Sequence, residues 1–185
     1  MLIDLLSATL KKSHAVDQAW QKMDRTDAVI GVASSARPFL VAARFVEDSR
    51  ATLVVTAGED AADTFARTVG AFVGEERVLR FADYEGNPFS LDAPMQPRLH
   101  GSRLEALWAL QNKKPVIVVA SARALLRKIA SPKSDIARPL VLKQGIDLSE
   151  HALEAVSCFE DLAEALVAMG YDNAGQLDGP GTFCV

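Results

Sequence analysis

Leu2, Leu5, Leu6 and Leu10 recur at the spacing of one helical face, and Val16, Trp20 and Met23 resume that period after a break around Ser13. The short run Asp27-Ala28-Val29-Ile30 predicts a strand, followed by a loop and a helix from Pro38 to Glu47. Thr52-Leu53-Val54-Val55-Thr56 predicts a second strand, continuously apolar as strands are when both sheet faces are covered. Glu59 to Val73 predicts a helix, with acids in its first turn and Gly74 as a stop. Arg77 to Phe81 and Pro115 to Val119 predict further strands, the second preceded by a helix around Leu104, Leu107 and Trp108. Val29, Leu53, Val54, Val55, Val78, Ile117 and Val118 are then the central strand residues. Strand and helix alternate with short connections, which predicts an α/β fold built on a doubly wound parallel sheet.

Two stretches break the pattern. Asp83 to His100 holds Pro88, Pro94 and Pro97 with Gly86 and predicts a long irregular loop. Ala130 to Arg138, with Ser131-Pro132 and Arg138-Pro139, predicts a linker. Beyond it come strands at Leu140 to Leu142 and Leu153 to Val156, a helix from Glu160 to Met169, and an extended run from Tyr171. Gly170 reads as the helix stop, and Gly179-Pro180-Gly181 would turn the run back as a hairpin. These elements predict the start of a separate small α+β domain. The final run, Thr182-Phe183-Cys184-Val185, reads as a chain cut within a strand.

Composition narrows the functional classes. Apolar residues at 49% and charged residues at 24% of 185 place the chain among globular proteins and exclude disorder. A formal charge of −4 argues against a dedicated nucleic-acid clamp. Cys158 and Cys184 are too few for a disulfide framework and point to a reducing cytosol, although a bridge between them stays open. Met1-Leu2-Ile3-Asp4 does not read as a signal peptide, and no apolar run reaches the roughly 20 residues a bilayer span needs. The expected location is cytoplasmic.

The chemistry turns on Gly31-Val32-Ala33-Ser34-Ser35-Ala36-Arg37-Pro38, between the first predicted strand and its helix. Laid on the phosphate-loop template G-x-x-x-x-G-K-[ST], it keeps only Gly31. Ala36 stands where the second Gly lets backbone approach phosphate. Arg37 replaces the lysine that reaches the β- and γ-phosphates. Pro38 replaces the hydroxyl that ligates magnesium and offers no amide hydrogen either. This is either a degenerate phosphate loop or a plain strand-turn-helix with Ser34 or Ser35 capping and Pro38 in the first turn. Neither hydrolyses ATP.

Other constellations carry less. His14, His100 and His151 are scattered without metal-ligand spacing, and they read as surface histidines. Arg123, Arg127, Lys128 and Lys133 form a local basic patch that reads as a solvated helix face. Tyr84, Phe89 and Leu91 are expected to pack back on the core. Asp60 with Asp63, and Glu75 with Glu76, look like helix-end and turn charges. No catalytic triad, metal site or cofactor site is evident.

With the degenerate loop placed, an ordered set of segments stands out. It comprises Leu53-Val54-Val55-Thr56, Glu75-Glu76-Arg77-Val78-Leu79, Arg103-Leu104-Glu105-Ala106-Leu107, and Val116-Ile117-Val118-Val119 with Ala122-Arg123-Ala124-Leu125-Leu126. Ala168-Met169-Gly170-Tyr171 through Gly181-Thr182-Phe183 completes it. The set resembles the N-terminal region of the bacterial transcription-repair coupling factor family (Mfd), in order and over nearly the whole chain. That region is similar to the excision-repair protein UvrB: a helicase-like first domain without ATPase function, interrupted by a second domain that binds the damage sensor UvrA. The resemblance implies a helicase-like domain over residues 1–136 and the beginning of a UvrA-binding domain over 137–185. It further implies partner contacts near Tyr171, Asp172, Thr182 and Phe183. The family's strand continues past the position of Phe183 into an Arg-Gly pair, and that arginine belongs to the surface facing UvrA. This chain ends before it.

Three departures are visible. Asp172-Asn173 follow Tyr171 where the family often places basic residues, Gly145 to Phe159 is longer than the family's spacing, and Asp83 to His100 lacks the Tyr-rich character of UvrB's DNA-clamping hairpin. The resemblance implies a protein-binding module for nucleotide excision repair. In the intact family, ATP hydrolysis, double-stranded DNA translocation and RNA polymerase displacement belong to a C-terminal motor. The competing readings are a helicase fragment with unconventional nucleotide binding, which would need an Asp-Glu metal motif that the chain lacks, and a nucleic-acid-binding domain using the Arg123 to Lys133 patch.

Overall fold

The computed structural model describes residues 12–25, 29–83, 97–129, 158–177 and 179–185, together with Ala8, Asp27, Leu142 and Gly145. It is a mixed α/β structure, and the chain divides into two compact units: Met1–Ala93 with Leu99–Lys128, and Pro94–Arg98 with Ile129–Val185.

In the first unit, α1 (His14–Arg25) precedes a 3-10 turn (Ser34–Ala36) that runs into α2 (Arg37–Asp48). Then come β1 (Thr52–Thr56), α3 (Glu59–Val73), β2 (Val78–Phe81), α4 (Pro97–Gln111, in this unit from Leu99), β3 (Ile117–Ser121) and the short α5 (Ala122–Leu125). The three strands form a parallel sheet in the order β1-β3-β2. Thr52 lies opposite Ile117 on one side and Val78 opposite the same residue on the other.

The central strand shows why both faces need apolar cover. Every residue of β3 is buried, and its side chains alternate between two clusters. Ile117 and Val119 pack with Ala42 and Phe45 of α2 and with Ala62, Ala66, Val69 and Val73 of α3. The α3 residues recur at helical spacing, so one stripe of that helix meets the sheet. Val118 and Ala120 pack with Phe81 and with Ala106 and Ala109 of α4, where small side chains let the helix approach closely. Helix α3 stops at Gly74, whose φ of 100° lies in the range glycine tolerates and whose N–H donates to the Gly70 carbonyl at 2.8 Å.

The structure corrects several expectations. Of the run Asp27 to Ile30, the described residues Asp27, Val29 and Ile30 lie in no strand, and Val29 is fully exposed. An apolar run becomes a strand only where an edge supplies its hydrogen bonds, and among the described residues β1 pairs on one side alone. Leu53 and Val55 are therefore not central: they are 55% and 52% exposed, on the face of β1 opposite the one that Val54 turns to the α2–α3 cluster. The third strand starts at Ile117 because Pro115 has no N–H to give and the ladder opens with Thr52 N–H donating to the Val116 carbonyl. The expected loop ends early, since α4 begins at Pro97, a residue suited to a first helical turn. The proposed strand Leu153 to Val156, residues 84–96 with Tyr84, Phe89 and Leu91, and the linker from residue 130 lie outside the described residues, as does the strand at 140–142 except for Leu142, which is exposed.

In the second unit, α6 (Phe159–Ala168) opens with a capping box. Asp161 N–H donates to Cys158 Sγ, and Cys158 N–H donates to the Asp161 carboxylate. Gly170, at φ 88°, ends the helical segment. The strands β4 (Asp172–Asn173) and β5 (Thr182–Phe183) then pair parallel, not as the expected hairpin. Asp172 N–H donates to the Gly181 carbonyl and Ala174 N–H to the Phe183 carbonyl. Residues 174–181 are long enough to carry the chain back before it runs alongside β4, and Gly179 and Gly181 take the positive φ values on that path.

Candidate functional site

Two backbone donors of the phosphate-loop segment are engaged within it. Ala36 N–H donates to the Ala33 carbonyl at 2.9 Å, and Arg37 N–H donates to the Ser34 carbonyl. These two amides are turned back on the chain where a phosphate cradle would hold them open. The expected serine cap is absent: the capping positions are Ala33 and Ala36, without side-chain hydrogen bonds, and Ser34 and Ser35 are exposed. Pro38 does sit in the first turn of α2 and is buried. Gly31 and Arg37 are exposed. The segment thus has one free-facing cation and no metal-ligating hydroxyl at Pro38.

A second constellation lies at the carboxyl ends of β2 and β3, where ligands bind in many parallel α/β sheets. Asp83, just past β2, is buried. Its Oδ2 accepts from Arg123 Nε, and its Oδ1 accepts from Arg127 Nε at 2.5 Å. Burial pushes the Asp83 carboxyl up, but hydrogen bonds and charge from Arg127 and Arg123 outweigh it and hold the carboxyl below its ordinary value. A carboxylate with both oxygens engaged by cations is a clamp, not a proton acceptor. Beside it Arg103, also buried, donates from Nη1 to the Ala82 carbonyl at 2.7 Å. Arg80, on β2, reaches Glu59 at 2.8 Å, Asp63 at 2.7 Å and the Val119 carbonyl at 2.7 Å.

Sequence reasoning weighed Arg123 and Arg127 as solvated cations or as a nucleic-acid contact, and missed their pairing with Asp83 and the burial of Arg103. The available signal was an acid directly after an apolar strand, with two arginines four residues apart after the next one. The clamp removes much of the positive field of the basic patch, since Arg123 and Arg127 share one carboxylate; Lys128 is exposed and Lys133 lies outside the described residues.

In the second unit the four residues expected to face a partner do come together. Asp172 pairs with Thr182 and Asn173 with Phe183, while Tyr171 precedes β4 and is 41% exposed. Asp172 is exposed, and Thr182 and Phe183 are half-buried. The Thr182 hydroxyl donates to the Gly179 carbonyl at 2.8 Å, so it stabilises the loop before β5.

His14 and His100 are exposed, His14 sharing a hydrogen bond with Gln18, and His151 lies outside the described residues. Among the described residues no three His, Cys, Asp or Glu side chains could hold a metal ion, and no helix is long and apolar enough to cross a membrane. Cys158 and Cys184 are free, exposed thiols. The Asp161 amide draws the Cys158 thiol down, but the Asp161 carboxylate, desolvation and the Glu160 carboxylate together outweigh it and leave the thiol above its ordinary value. No family model matches the chain, and no curated protein matches it.

Proposed function

We propose that this chain is the UvrB-like N-terminal module of a transcription-repair coupling factor, a cytoplasmic protein-binding element of nucleotide excision repair. On this reading the first unit is a doubly wound, helicase-like α/β domain without ATPase function. The second is the start of a UvrA-binding domain. DNA translocation, ATP hydrolysis and RNA polymerase displacement then belong to a motor outside these residues.

The observation that carries the reading is the phosphate-loop segment. It stands directly before α2, as the template's loop stands before its helix, yet without a described strand ahead of it; two of its amides are closed on Ala33 and Ser34, and Pro38 occupies the metal-ligand position. Apolar clusters on both faces of the parallel sheet support the domain type. The ordered segments from Leu53 to Phe183 support the family.

The test is a titration of purified UvrA against the chain by interferometry. The expected result is saturable binding that Tyr171→Ala and Phe183→Ala each weaken about tenfold, since aromatic anchors concentrate interface energy. Leu53→Ala, in the first unit, should leave binding unchanged. Absence of UvrA binding, or equal binding by all variants, overturns the proposal.

A further inference from the structure

We draw no further inference here: the strongest candidate, the arginine cluster that Arg123 and Arg127 form on Asp83 at the carboxyl ends of β2 and β3, carries nothing, because both guanidinium groups already pair with that buried carboxylate and nothing in the structure shows what would cover the exposed side of Arg123.

Discussion

The guanidinium of Arg103 lies 3.9 Å from the centroid of the Phe81 ring, and its Nη1 donates to the carbonyl of the next residue, Ala82. One side chain of α4 thereby fastens the end of β2 by stacking and by a charge-assisted hydrogen bond. Arg103→Met keeps much of the volume but leaves the Ala82 carbonyl without this donor. A loss of about 2 to 3 kcal/mol is expected. Urea unfolding measures it, and a midpoint equal to the parent's would show that the contact contributes nothing.

Asp83 should make stability depend on acid pH in a defined direction. Its folded value lies below the ordinary 3.8, so its contribution is complete above that value and is lost as pH falls through the lowered folded value. Asp83→Asn should cost about 3 kcal/mol near neutrality, because it leaves two arginines facing a neutral group. The gap between parent and variant should close as the pH is taken well below 3.8. A gap of constant size across thermal melts from neutral to strongly acid pH would contradict the clamp.

Mg-ATP should produce no binding isotherm in the micromolar range, about −8 kcal/mol. Phosphate would have to displace the Ala33 and Ser34 carbonyls from the amides they already hold. Restoring Gly-Lys-Thr at Ala36, Arg37 and Pro38 should still give no hydrolysis. A micromolar dissociation constant for the parent chain would refute the closed loop.

Neighbouring residues of β1 should respond oppositely to the same change. Val54 packs on the cluster formed by α2, α3 and β3, so Val54→Asp should cost about 3 kcal/mol or more. Val55 is 52% exposed, and Val55→Asp should shift stability by no more than about 0.5 kcal/mol. Chemical denaturation of the pair decides it: equal losses would mean that both faces of β1 are covered in solution.

The parts of the fold readable in the sequence were those fixed by local rules. Glu59 to Val73 has acids at its start, an apolar stripe and Gly74 at its end, and the helix has those bounds. Thr52 to Thr56 was equally plain. Apolar runs alone misled, because Leu53, Val55 and Val29 look like core residues while their burial depends on what lies beside them. The same limit applies to β4 and β5, where Gly179-Pro180-Gly181 marks a reversal of direction without saying whether a second reversal follows. The Asp83 clamp was hidden for a different reason: its members are about 40 residues apart in sequence, and only the parallel order of the strands brings their ends together.

That strand order also sets a timetable for synthesis. The middle strand of the sheet, β3, is the last of its three to leave the ribosome, and among the described residues β1 and β2 each find their ladder only on it. Until residue 121 has emerged, the two earlier strands expose unpaired backbone edges, although α2 and α3 can already close on each other through Phe39 and Phe72. A nascent chain halted within α4 is therefore a helix pair with two orphan strands. Only with Ile117 to Ser121 does it gain the strand on which both can pair.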